Sequence, residues 1–208
     1  MKKLIKVLIA RVKAFTNNRN FQKKIEKRKT SNLLLRKNNE SDVIRWSDND
    51  ELFNDWSERT FILASFIDDE ADILEFGAGK MVIKDSHIKY KTYTPSDIVK
   101  RYDETIVCDL NKPIDIDLSK YNAVLLSGVL EYVYDINNVI NQFSNAGVSQ
   151  IAVSYCCSDI VLLSRDKNGW LSDYKRDEIE MIFSENNYTI LDYTEWRNQS
   201  LYFLKLNK

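Results

Sequence analysis

Glycine and proline are scarce in this chain. Five glycines and two prolines occur in 208 residues, and neither type appears before residue 77. That excludes collagen-like and proline-rich segments and leaves the first 76 residues without a strong helix breaker. Cysteine is also rare. Cys108, Cys156 and Cys157 make an odd count with an adjacent pair, which excludes a disulfide framework and fits a reduced, cytoplasmic protein. With His87 the only histidine, no metal site is expected. No apolar run reaches the length of a membrane span. Residues 1–15 begin like an export signal, but Lys6, Arg11 and Lys13 interrupt the apolar stretch and no small-residue cleavage site follows, so export is disfavoured. What is present is 44% hydrophobic and 12% aromatic residues, enough for the core of one α/β domain with a short extension.

Charge is balanced in total and uneven in distribution. Residues 1–40 carry 13 Lys/Arg against 2 Asp/Glu, leaving 17 against 29 for the remainder. A basic arm precedes an acidic domain. We read residues 1–44 as a basic helical extension and 45–208 as the domain proper. Within the arm, Leu4, Ile5, Leu8, Ile9, Val12 and Phe15 share one helical face, with Lys2, Lys3, Lys6 and Lys13 opposite and Arg11 at the margin. Three uses fit such a helix: packing on the domain or a partner subunit, peripheral contact with an anionic membrane at the inner face, or a nucleic-acid grip. The last is disfavoured because few aromatics accompany the charges.

A second helical start is marked by Ser47 or Asp48 as a cap and Glu51 in the first turn, followed by the apolar stripe Leu52, Trp56, Phe61, Ile62 and Phe66. From residue 71 short β-rich runs alternate with helical stretches. Strands are predicted at 73–76, 87–93, 105–108, 122–126 and 148–155, with helices at 130–143 and 177–183. The runs 188–196 and 201–206, separated by Arg197-Asn198-Gln199, predict a terminal antiparallel hairpin. This pattern predicts a Rossmann-like α/β fold: a mostly parallel seven-stranded sheet with a reversed last strand and a ligand crevice beyond the strand carboxyl ends.

Three of the five glycines fall at those ends: Gly77, Gly79 and Gly128. Glu75-Phe76-Gly77-Ala78-Gly79 leaves the first strand, where glycine lets a ligand approach the backbone without meeting a Cβ. The third glycine of a dinucleotide loop is missing, Val82 standing in its place, so the pyrophosphate fingerprint is incomplete. Asp97 follows the second strand, 22 residues after Glu75, where a carboxylate can accept both hydrogen bonds of a ribose diol. Asp109-Leu110 ends the third strand, where a carboxylate can receive an adenine amino group, and Ser127-Gly128 ends the fourth. Read singly, each is also an ordinary turn or capping residue. Four strand ends in order carry what an adenosine-containing ligand needs.

With these motifs the chain resembles the class I S-adenosylmethionine-dependent methyltransferases over roughly residues 45–208. Ile73 to Gly79 is similar to their first motif, Tyr93-Thr94-Pro95-Ser96-Asp97 to the acidic second strand end, and Val107-Cys108-Asp109-Leu110 to the adenine-side motif. Tyr121 to Val133 resembles the fourth strand and following helix of small methyltransferase-like proteins found among bacterial polysaccharide-synthesis genes. The chain departs from the pattern at Met81, Asn122 and Tyr132, and the interval from Gly79 to His87 is short for a full first helix.

The resemblance implies S-adenosylmethionine as cofactor, held by Glu75, Gly77, Ala78, Gly79, Asp97, Asp109, Leu110 and Ser127. It implies methyl transfer to a small-molecule or glycan acceptor. Two alternatives stay open: a catalytically inactive binding protein of the same fold in envelope-polysaccharide assembly, and a nucleic-acid methyltransferase gripping through the basic arm. Arg59 is placed either to reach the cofactor's carboxylate or as a surface arginine. Arg165, Gly169 and Trp170 are candidates for an acceptor pocket. No catalytic base is identified; Glu131, Tyr132, Tyr155 and Asp159 lie near strand ends but read as structural, and Cys156-Cys157 as buried packing.

Overall fold

A computed structural model describes residues 22–23, 26 and 29–207 of the chain. The amphipathic stripe of residues 1–15 lies outside the described residues. Seven strands form one sheet: β1 Asp72–Phe76, β2 Thr92–Asp97, β3 Ile106–Val107, β4 Ala123–Leu126, β5 Gln150–Tyr155, β6 Tyr188–Trp196 and β7 Gln199–Leu206. Their order is β3-β2-β1-β4-β5-β7-β6. The pairings that join β1 to β5 are all parallel, and β7 runs antiparallel to both its neighbours. The chain runs outward from β1 to β3, then returns to lay β4 on the other side of β1. That reversal opens a crevice above the carboxyl ends of β1 and β4.

Strands β4 and β5 are buried along their whole length, as expected of parallel strands covered on both faces. One face packs against α4 (Ile136–Asn145) and α6 (Arg176–Glu185), where Ile140, Phe143, Ile179 and Phe183 meet Leu74, Phe76, Val124, Leu126 and Val153. Phe76 and Phe143 stack with centroids 5.6 Å apart. On the other face α3 (Ser57–Ala64) sets Leu63 and Ala64 against Ile73, Ala123, Leu125, Ala152 and Leu201. A helix through residues 29–38 (α1), α2 (Val43–Trp46) and α5 (Arg165–Asn168) complete the described helices. The boundary expected between residues 44 and 45 runs through α2.

The seven-stranded Rossmann-like fold predicted from the sequence is the one observed, but several elements move. The second strand is not 87–93 but Thr92–Asp97, and it includes Pro95. Strand β3 pairs only with Ser96 and Asp97, so at Pro95 that edge of β2 is open and a missing N–H is tolerated. The helix expected over 130–143 is split. Leu130–Tyr132 forms a single 3₁₀ turn, and α4 starts afresh where the Asp135 carboxylate accepts the amide of Asn138 at 2.9 Å. Asp48 does cap a start, yet only of a 3₁₀ turn over Asn49–Glu51; a second 3₁₀ turn, Asn54–Trp56, precedes α3. The last hairpin turns on Arg197 and Asn198, both at positive φ, so Gln199 belongs to β7.

Candidate ligand cleft

The crevice is a cleft of about 880 Å³, its open mouth included. Its floor is the strand ends. Gly77 leaves β1 at φ +67, and a Cβ there would stand 2.5 Å from Val129 Cγ2. Ala78 donates its amide to the Ser96 carbonyl at 3.0 Å, and Gly79 donates its own to Asp97 Oδ2 at 2.9 Å, which ties the loop to the end of β2. Met81, where the fuller motif has glycine, keeps a left-handed backbone at φ +52.

Of the residues the sequence singled out, Gly77, Asp97, Asp109, Leu110, Ser127 and Gly128 line the cleft together. Ala78 and Gly79 lie behind them in the loop. Glu75 does not line it. It is buried, and its carboxylate accepts the Tyr93 hydroxyl at 2.5 Å. Burial pushes its pKa up to about 8, held back by that hydrogen bond and added to by the nearby charge of Asp97, so Glu75 is largely protonated at neutral pH. The Tyr93 hydroxyl is itself raised by burial and by Glu75.

Asp97 accepts a second amide, from Val99 at 3.1 Å, and faces Arg101 Nε at 3.7 Å. Asp109 Oδ1 accepts from the Ser41 hydroxyl at 2.6 Å and from the Asn111 amide at 3.0 Å. Ser127 is held by α3: its hydroxyl lies 2.8 Å from Thr60 Oγ1 and receives Arg59 Nε at 3.0 Å.

Arg59, read from the sequence either as a cofactor contact or as a surface arginine, lies buried in the cleft wall. It is 6% exposed, donates to Ser127 Oγ, the Ser127 carbonyl and Gln199 Oε1, and lies over the rings of Trp56 and Trp196. Among the described residues no carboxylate lies within ion-pair distance of it. Burial lowers its pKa, an effect opposed by the charge of Glu131. A Cβ on Gly128 would stand 2.3 Å from the guanidinium, so that glycine makes room for Arg59.

The roof comes from residues 41–56, at the junction of arm and domain, which place Ser41, Trp46, Leu52 and Trp56 in the cleft wall. Trp46 meets Tyr132 edge to face at 4.8 Å. Arg45 lies over both rings, pairs with Glu51 at 3.2 Å and donates to the Asn168 carbonyl at 2.8 Å. Arg101 donates to the Trp46 carbonyl and to Asn49 Oδ1. Sequence reasoning missed Ser41, Trp46, Arg101 and Asn111; the one local signal was Arg101, four residues past Asp97 with opposite charge.

Of the three residues proposed for an acceptor pocket, Gly169 lines the cleft and Arg165 and Trp170 do not. Arg165 holds the carbonyls of Cys156 and Ser172 and the Tyr155 hydroxyl, and Trp170 is buried with Cys156 and Val161. All three cysteines are buried and unpaired. Burial raises their thiols, Cys108 to about 11, so none is a nucleophile at neutral pH.

Strand order, a glycine loop after β1 and an acid after β2 decide the architecture. The fold is that of the class I methyltransferases. A Burkholderia thailandensis 1,6-didemethyltoxoflavin-N1-methyltransferase, solved with its substrate and S-adenosylhomocysteine, superposes with a TM-score of 0.56 at 13% identity, over 78% of this chain and 81% of that one. A magnesium protoporphyrin IX methyltransferase from Synechocystis with bound S-adenosylmethionine gives 0.51 at 13%, over 74% and 80%. An O-methyltransferase from neocarzinostatin biosynthesis gives 0.53 at 11%, over 77% and 59%. No family model and no curated protein matches the sequence.

Proposed function

We propose that the chain is an S-adenosylmethionine-dependent methyltransferase acting on a small-molecule or glycan acceptor. Arg59 carries the reading. A buried guanidinium with only neutral acceptors is costly, and this one lines the cleft between the end of β4 and the start of β7, where the cofactor's carboxylate would complete it. The rest of the cleft fits the same group. Gly77 brings the loop backbone into the cleft lining, Asp97 retains carboxylate lone pairs beyond its two amide bonds for a ribose diol, and Asp109 with Leu110 borders the adenine end. Trp46 offers a flat apolar wall over them. When bound, the cofactor supplies an electrophilic methyl group; the chain's part is to align it with an acceptor and exclude water. A setting in polysaccharide assembly and membrane contact through residues 1–15 belong to the same proposal, supported by the resemblance of the fourth-strand region and by the arm's composition.

The test is calorimetric titration with S-adenosylhomocysteine. Wild-type protein should bind, and Arg59→Met should bind tenfold to a hundredfold more weakly, the loss of a charged hydrogen bond at about 1.5–3 kcal/mol. The same variant should be at least as heat-stable without ligand, since an unpaired buried cation is gone. No binding by wild type at millimolar ligand overturns the reading.

A further inference from the structure

The described residues leave a group of large apolar side chains in water. Leu33 and Leu34 on α1, Val43 and Ile44 on α2, and Leu162-Leu163 just before α5 are all exposed, Ile44 and Leu162 to about 90%. The three segments that carry them are fastened to one another. Asn32 donates to the Asp166 carbonyl at 3.0 Å, Arg36 to the Trp170 carbonyl at 2.7 Å and Arg45 to the Asn168 carbonyl at 2.8 Å. The segments that carry these side chains therefore lie together, and Asp42, Trp46, Gly169 and Leu171, from or beside the same segments, line the cleft.

We propose that this apolar rim is a docking face for an anionic lipid bilayer, from which the acceptor enters the cleft. The acceptor clause rests on the methyltransferase reading; the docking face does not. Charge complementarity selects an anionic bilayer as the occupant. The 40 residues that run into this face carry thirteen Lys/Arg against two Asp/Glu, while the remainder of the chain is acidic. Arg45 and Arg165 do not add to that charge: their side chains are only 11% and 10% exposed and pair with Glu51 and Asp173. An anionic surface would draw this face in and repel the acidic remainder.

Flotation of the full-length chain with phosphatidylcholine vesicles, with and without phosphatidylglycerol, tests the proposal. The wild type should float with the anionic vesicles at low salt and lose most binding at high salt. A variant with Leu33→Ser, Leu34→Ser, Ile44→Ser, Leu162→Ser and Leu163→Ser should bind them at least about tenfold more weakly, with thermal stability and S-adenosylhomocysteine titration unchanged. Equal flotation of variant and wild type overturns the proposal and assigns any binding to residues 1–15. Failure of the wild type to float also overturns it, and sedimentation that shows the variant losing self-association would make a second copy the occupant. Intact flotation without S-adenosylhomocysteine binding would overturn the methyltransferase reading alone and leave the docking face standing.

Discussion

The two halves of the sheet are built differently. Strands β4, β5, β7 and β6 are backed by α4 and α6 on one face, with α3 across β5 and β7 on the other. Strands β1, β2 and β3 are joined to one another and to β4 by turns, with a single 3₁₀ turn at Leu118–Lys120 in place of crossover helices. The first half is a scaffold whose residues answer to packing. The second is a set of loops whose polar side chains hold the backbone: Asp97 on Gly79 and Val99, Asp109 on Ser41 and Asn111. Stability and recognition are thereby divided between the halves, and substitutions should separate them.

The largest effect belongs to the scaffold. Phe143→Ala, at a fully buried position stacked on Phe76, should cost about 3–5 kcal/mol and lower Tm by roughly 10 °C. Asp97→Ala, in the loop half, should instead weaken S-adenosylhomocysteine binding by about 1.5–3 kcal/mol, read by calorimetry on protein that still unfolds cooperatively. An unchanged dissociation constant would return Asp97 to a purely structural role.

Glu75 sharpens the comparison because it lies between the halves. Its pKa is raised from 4.5 to about 8, so the folded state holds a proton that the unfolded state releases. The associated stability is complete below about pH 4.5 and is lost as pH rises through about 8, with a slope of at most ~1.4 kcal/mol per pH unit. Glu75→Gln should remove that slope: the variant and wild type diverge in denaturant midpoint as pH rises, the variant being the more stable at pH 9. Parallel curves would show that Glu75 stays ionised.

The smallest effect separates two neighbouring glycines. A Cβ on Gly79 meets nothing closer than Leu52 at 3.7 Å, so Gly79→Ala should cost only the left-handed backbone, about 1–2 kcal/mol of stability, and leave ligand affinity nearly unchanged. Gly77→Ala adds a collision with Val129 and should lose more of both. Equal losses would mean that conformation alone governs the loop.

These contrasts also explain what could be read from the sequence. The scaffold was legible because burial leaves a period: the β4 and β5 runs, the spacing of Val139, Ile140 and Phe143, and the last hairpin all announce themselves. The glycine loop and the acids at the ends of β2 and β3 were legible as residue types at strand exits. The roof was not. Ser41, Arg45 and Trp46 act on groups far away in the chain, largely through side-chain contacts that impose no spacing on either partner. The second strand was misplaced because Pro95 reads as a strand breaker unless the shortness of β3 is known. Glu75 was placed on the ligand because its position in the motif is visible, while its hydrogen bond to Tyr93 on the adjacent strand is not.

The fastening of arm and roof has a consequence for variation. Asn32, Arg36 and Arg45 grip the main-chain oxygens of Asp166, Trp170 and Asn168, and every amino acid carries a main-chain oxygen. At exposed Asp166 and half-buried Asn168, side chains can therefore be exchanged without loosening those clasps, whereas the three donors cannot be replaced by residues lacking an N–H in the same place. In a deep mutational scan positions 166 and 168 should be permissive and positions 32, 36 and 45 strict.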